Sequence, residues 1–183
     1  IYVDISNLNK LRKKITSRYD YVVNLGGYVD HSNKTKTYDS HYIGCKNLYE
    51  VFKNQKLKSF VQMGSSLEYG KNTSPLKENL KCSPTATYGK SKYLSSKFLI
   101  KKFTEENFPA IILSLFQAYG PYQTKNRLIP VVIDSCLKNQ KFKCSPGNQL
   151  RDFIYVDDVV NAIYLSIITN KAKGEILNIG TSK

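Results

Sequence analysis

The chain has 183 residues, 41% hydrophobic and 23% charged, with 28 Lys and Arg against 14 Asp and Glu for a net charge of +14. That size suits one globular domain with a real core, or part of a larger one, and the regularly spaced Leu, Ile, Val and Phe exclude wholesale disorder. The longest apolar runs, such as Ala110–Leu113, fall far short of the ~20 residues a membrane-spanning helix needs.

In chain order, Asp20–Leu25 is a short β-branched run that ends in Gly26-Gly27, the pattern of a buried strand and a tight turn. Tyr38–Lys53 carries Tyr42, Cys45, Leu48, Tyr49 and Phe52 at helical spacing. Ser59–Met63 reads as a second strand and ends at Gly64-Ser65-Ser66. Tyr88–Phe103 is helical, with Leu94, Phe98 and Leu99 on one face. Ala110–Phe116 is a third strand, closed by Tyr119-Gly120-Pro121. Leu128–Leu137 and Val156–Ile168 read as helices, and Glu175–Ile179 as a last strand. Strands separated by helices predict βαβ units and a parallel sheet covered on both faces. Ligands of such sheets bind at the carboxyl ends of strands, which here are the turns at Gly26-Gly27, Ser65-Ser66 and Gln117-Ala118.

The positive charge reads as solubility. Only Arg12, Arg18, Arg127 and Arg151 are Arg; the rest are scattered Lys. The Lys10/Lys13/Lys14 and Lys53/Lys56/Lys58 groups read as solvated helix faces or loop turns. Abundant Lys, Asn, Ile and Tyr match the codon bias of an AT-rich genome. Cys45, Cys82, Cys136 and Cys144 form no C-x-x-C pair, and only His31 and His41 could join them, so no metal site is expected and free thiols in a reducing cytoplasm are. Ile1-Tyr2-Val3-Asp4 shows no signal-peptide pattern and no initiator Met, which leads us to expect a fragment or a trimmed chain.

The informative stretch is Tyr88-Gly89-Lys90-Ser91-Lys92, which places Tyr88 and Lys92 on one helix face. A phenol with a pKa near 10 is a poor base at neutral pH, and a neighbouring ammonium lowers that value. The pair is therefore a candidate proton-transfer group for a sugar hydroxyl or carbonyl. Upstream lies Met63-Gly64-Ser65-Ser66-Leu67-Glu68-Tyr69-Gly70, where a hydroxyl could hydrogen-bond the same substrate oxygen. Downstream lie Tyr119-Gly120-Pro121 and Arg151-Asp152-Phe153-Ile154-Tyr155-Val156-Asp157-Asp158.

The order S-S-x-x-Y-G, Y-x-x-x-K, Y-G-P and R-D-F-x-x-V-x-D resembles the NAD-dependent epimerase/dehydratase family, extended short-chain dehydrogenases/reductases that act on sugar nucleotides. The resemblance runs from Asp4 to about Gly180. It implies a doubly wound, Rossmann-like α/β fold, NAD or NADP as cofactor and a nucleoside-diphosphate sugar as substrate. It makes Ser65, Tyr88 and Lys92 the catalytic set, with Tyr88 and Lys92 also at the nicotinamide ribose. Asp4-Ile5 resembles the pair that contacts the adenine, and Asn24-Leu25-Gly26-Gly27 the H-x-A-[AG] segment that lines the cofactor. Ser66, Gln117 and Arg151 fall at substrate positions, Arg151 as the fork on the diphosphate. Asn126 and Arg127 either cap the helix from Leu128 or line the substrate groove. Tyr69 reads as packing, and Asp158 as the cap of a helix from Val159. The resemblance also implies a homodimer through a four-helix bundle of 38–53 and 88–103, and a cytoplasmic location.

The chain departs from the family in lacking a G-x-x-G-x-x-G turn, which leads us to expect that it starts some tens of residues late and stops before the last helices. His41 stands where many members have Asn near the cofactor, and Cys144 where many have an aromatic residue near the nucleobase. Residues 1–119 are expected to form a partial cofactor domain with the catalytic residues, and 120–183 a partial substrate region with a returning strand. The expected reaction is hydride transfer at a sugar carbon, as a 4-epimerase or a 4-keto-sugar reductase. A 4,6-dehydratase is disfavoured because Leu67 stands where such enzymes carry a base. If Glu68 is still in extended chain, it points to the opposite face. The rival reading is a catalytically inactive Rossmann-like scaffold that contacts RNA or another polyanion.

Overall fold

The computed structural model describes residues 3–182. In chain order the elements are α1 (Leu8–Lys14), β1 (Tyr21–Asn24), α2 (Lys34–Tyr38), α3 (Gly44–Phe52), β2 (Ser59–Ser65), α4 (Thr87–Glu106), β3 (Ala110–Leu115), β4 (Gln117–Tyr119), α5 (Leu128–Leu137), β5 (Phe153–Tyr155), α6 (Val156–Ile168) and β6 (Ile176–Ile179). A π turn, Asp39–Ile43, joins α2 to α3, and a 3₁₀ turn, Ser66–Glu68, follows β2. Four strands make a parallel sheet in the order β1-β2-β3-β6, and β4 and β5 make a separate parallel pair.

Alternation along the central strands builds two apolar layers. Phe60, Ala110 and Ile112 join Leu11, Cys45, Leu48, Tyr49, Phe52, Leu99 and Phe108 on one face, beneath α1, α3 and α4. Val61, Met63, Ile111 and Leu113 face the other way and pack with Ile154, Val159 and Ala172 beneath α6. Every residue of β2 is buried, as a strand covered on both faces must be. A fully buried Leu or Ile contributes ~1.5–3 kcal/mol, so these layers dominate the fold's stability. The fold is the expected α/β class with helices on both faces of a parallel sheet.

Several details differ from the sequence reading. The helix expected over 38–53 is broken by the π turn, whose extra residue changes which side chains face inward. The stretch Gln117-Ala118 is a strand rather than a turn, because it pairs with Phe153 and Ile154. Asp158 does not cap a helix: α6 begins at Val156 behind Tyr155, so Asp157 and Asp158 lie in its first turn, where the helix dipole favours carboxylates. Arg127 occupies the position before α5 with no side-chain capping bond. Lys10, Lys13 and Lys14 are exposed on α1.

Candidate active site

The site lies at the carboxyl ends of β1 and β2, where α4 begins. A chain of polar contacts runs across the buried strand ends. Gly26 N donates to Asn24 Oδ1 at 3.0 Å, Asn24 Nδ2 to Gln62 Oε1 at 2.7 Å, and Gln62 Nε2 to Met63 O at 3.0 Å. Lys92 Nζ donates to the same Met63 carbonyl at 2.7 Å. Lys92 and Gln62 are 4% and 1% exposed, so both polar ends depend on these partners. One of the three ammonium donors is thereby engaged, and the head group is fixed in direction.

Ser65 ends β2 and starts the 3₁₀ turn. Its Oγ accepts from Leu67 N at 3.2 Å, and its own N–H donates to Glu68 Oε1 at 2.8 Å, a reciprocal capping box. Glu68 is therefore not in extended chain, the condition under which the sequence reading turned it to the opposite face. Its buried carboxylate folds back on the turn. Burial raises the Glu68 pKa, against the Ser65 N–H, Ser96 and Lys92, which lower it. Gly89 lets α4 come up against this turn, since a Cβ there would stand 2.6 Å from Leu67 O.

Tyr88 projects from the first turn of α4. Its ring has Lys92 Nζ 5.8 Å from the centroid, His31 stacked on one face and His41 edge-on. Burial raises the phenol's pKa; the Ser65 side chain pulls it down, Glu68 pushes it up and Arg127 pulls it down. The expected lowering by Lys92 is not among the influences on the phenol, where burial is the largest. Burial also brings Lys92 down to about 8. Burial therefore favours the protonated phenol.

His41 is buried on the π turn, with Nε2 3.3 Å from Tyr28 O and no partner at Nδ1 among the described residues. Burial, then the Lys92 charge, bring it down to about 4, so it is neutral. Its ring occupies the space where a Gly27 Cβ would be, 1.9 Å from Cε1. The π turn is tied to α4 by Ser95 Oγ, which donates to His41 O at 3.0 Å.

The structure thus brings Ser65, Tyr88 and Lys92 together, with Leu25, Gly26 and Gly27 exposed at the neighbouring strand end. Arg127, exposed ahead of α5, acts by its charge to lower the pKa of both Tyr88 and His31. Ile5 packs close to Gly26 and Gly44, while exposed Asp4 accepts from Ser6 N and Oγ. Ser66 is half-buried in the turn, Gln117 lies in β4, and Asn126 is exposed. Arg151 is exposed and donates to Gln149 Oε1 at 2.6 Å; Asp152 is engaged by Thr181 and Ser182 instead. Tyr69 is buried as expected and also donates to Asn178 Oδ1 at 2.7 Å. A cavity of about 200 Å³ opens behind the turn, lined by Glu68, Tyr69, Cys82 and Ser96, and does not include Tyr88.

Sequence reasoning missed Gln62 and His31. A lone amide inside the apolar run Ser59–Met63 was the available sign of the first; the second sits in a loop and had none. The residues fit a dinucleotide's nicotinamide end: Lys92 keeps two donors beyond Met63 O, and His41 Nδ1 stands unpartnered beside Gly27.

The sequence profile of the NAD dependent epimerase/dehydratase family matches residues 1–180. A dTDP-D-glucose 4,6-dehydratase of Dictyostelium discoideum is 31% identical over 182 residues, 90% of this chain and 42% of that protein. A putative UDP-glucose 4-epimerase of Methanocaldococcus jannaschii is 31% identical over 151 residues, 79% of this chain and 48% of that one. The crystal structure of UDP-glucuronic acid 4-epimerase from Bacillus cereus in complex with NAD superposes with a TM-score of 0.85 at 26% identity, covering 100% of this chain and 60% of that one. The chain spans about half the length of these curated relatives.

Proposed function

The chain belongs to the NAD dependent epimerase/dehydratase family, and from that premise we propose an NAD(P)-dependent 4-epimerase or 4-keto-sugar reductase of nucleoside-diphosphate sugars in which Tyr88 moves the proton. The observation that carries the reading is the convergence of Ser65, Tyr88 and Lys92 at one strand end, with Lys92 fixed on Met63 O. Bound NAD or NADP supplies the acceptor or donor of the hydride. Lys92 and Tyr88 would hold its ribose, beside Leu25, Gly26 and Gly27; Asp4 and Ile5 would take the adenine end. Ser65 orients the substrate oxygen, and Tyr88 gives or takes its proton. Lys92 holds positive charge beside the phenol, which favours the phenolate when the proton leaves. Arg127, with Asn126, Ser66, Gln117 and Arg151, is assigned to the substrate.

Relatives bearing dehydratase and epimerase names match at equal identity, so the local chemistry has to choose. Leu67 is 53% exposed and offers only an alkyl chain, and Glu68 is folded into the capping box. No base then follows Ser65 to draw a proton from the sugar's C5, which supports transfer at one carbinol carbon. We assign residues 1–119 to cofactor and proton handling and 120–183 to the substrate, in a cytoplasmic homodimer built on α3 and α4. Among the described residues, no helix is long and apolar enough to cross a membrane. The test is to incubate the full-length protein with NAD or NADPH and a panel of nucleoside-diphosphate hexoses and 4-keto hexoses. Inversion or reduction at C4 is the expected result; accumulation of a 4-keto-6-deoxy sugar at a catalytic rate would overturn the reading.

A further inference from the structure

Two imidazoles hold the Tyr88 ring, and one of them has no role in the reaction as described so far. His41 meets the ring edge-on, with centroids 5.0 Å apart and planes at 81°. It is buried and wedged against Gly27, so its position follows from the packing of the π turn. His31 lies flat on the ring face, with centroids 4.1 Å apart and planes at 18°. The imidazoles stand 6.1 Å from each other. His31 belongs to the exposed loop after β1. An exposed imidazole in a loop can lie in water, yet this one covers the phenol.

We propose that His31 is a positioning residue that clamps the Tyr88 ring and fixes the direction in which the phenol moves its proton. The proposal rests on the reading of Tyr88 as the acid/base and adds to it. A tyrosine side chain turns about two torsions. His31 covers one face and His41 meets the ring near its rim, so both torsions are restricted and the oxygen stays directed at the Ser65 side. Parallel stacking also suits a neutral imidazole. Desolvation and the charges of Arg127 and Lys92 disfavour the imidazolium, against Asp30, which favours it. At neutral pH the clamp is therefore a flat, uncharged ring, and Phe should replace it.

The activity arm of the test uses the full-length enzyme. His31→Ala is expected to lower kcat about tenfold while the sugar-nucleotide KM stays within about twofold, since misplacing a reacting group by a fraction of an ångström is costly. His31→Phe is expected to restore kcat to within about twofold of wild type. His31→Phe as impaired as His31→Ala would overturn the clamp and assign chemistry to an imidazole nitrogen. The second arm is independent of turnover. In a ¹³C–¹H spectrum of the full-length protein, the imidazole Cε1 signals of His31 and His41 are assigned as those lost in His31→Phe and in His41→Asn. The His31 signal is expected upfield, shifted by the Tyr88 ring current. It should stay there in Tyr88→Phe and move to the free-imidazole position in Tyr88→Leu, with the His41 signal reporting that the fold persists. A His31 signal at the free-imidazole position in both wild type and Tyr88→Phe would sink the proposal, whatever the enzyme turns over. An active enzyme in which His31→Ala equals wild type would do the same and leave the role of Tyr88 standing.

Discussion

Acid is expected to weaken this fold through His41, and the size of the effect follows from its surroundings. The side chain is 6% exposed and, among the described residues, its hydrogen bond is at Nε2 alone. Burial and the Lys92 charge bring its pKa from 6.5 to about 4. Between those values the unfolded chain binds a proton that the folded chain refuses. The contribution of neutral His41 is therefore complete above the unfolded value and is lost as pH falls toward the folded one. From pH 7 to pH 5 the loss is about 2 kcal/mol, a large share of the ~5–15 kcal/mol that holds a typical domain together. With a urea slope of ~2 kcal/mol per molar, the unfolding midpoint should fall by about 1 M. His41→Asn keeps a polar side chain that does not titrate. The assay is urea unfolding of wild type and His41→Asn at both pH values. Glu68, whose raised pKa acts in the opposite direction, and His31 are common to both proteins and cancel in the difference. If His41→Asn loses as much midpoint between pH 7 and pH 5 as wild type, the burial argument is wrong.

Three further outcomes are expected. Tyr88→Phe should lower kcat by ~10²–10⁴-fold with cofactor binding intact by calorimetry, and retention of more than about a tenth of wild-type turnover would refute its role. Gly89→Ala should push the first turn of α4 away from Leu67 O, lowering kcat at least about tenfold while unfolding experiments show a loss of only ~1–3 kcal/mol; wild-type turnover would show that this close approach is not needed. Leu113→Ala, at a site 1% exposed, should cost ~2–5 kcal/mol in denaturant unfolding, and a loss below about 1 kcal/mol would mean that the layer beneath α6 collapses to fill the gap.

The four main strands and the Tyr88 helix were legible because burial on both faces makes apolar runs, and because Leu94, Phe98 and Leu99 repeat at helical spacing. That Ser65, Tyr88 and Lys92 would come together was legible from the order of their motifs. What escaped was short or out of phase. Only Leu11 is buried on α1, so its seven residues carry no periodic signal. β4 and β5 have three residues each, too few for alternation to register. The apolar spacing from Tyr42 to Phe52 suits a straight helix, and the one added residue of the π turn leaves no trace in composition. The place of Glu68 stayed open because S-x-x-E can read as strand or as a capping box, and the turn decides which. The His31 stack depends on where a loop folds, which pairwise spacing does not encode.

The short ladder between β4 and β5 has a mechanical consequence. The chain departs at Tyr119 and re-enters at Phe153, two rungs back on the neighbouring strand. Everything between is an excursion drawn shut at its neck. Its ends are pinned at strand spacing, so changes in its length or composition put no strain on the register of the main sheet. Doubling such an excursion adds only ~0.6 kcal/mol of closure entropy. The chain therefore separates two kinds of heritable change: Ser65 at its strand end and Lys92 in α4 are held by buried partners, while the looped stretch, outside the Asn126, Arg127 and Arg151 assigned to the substrate, can change in length without disturbing the sheet.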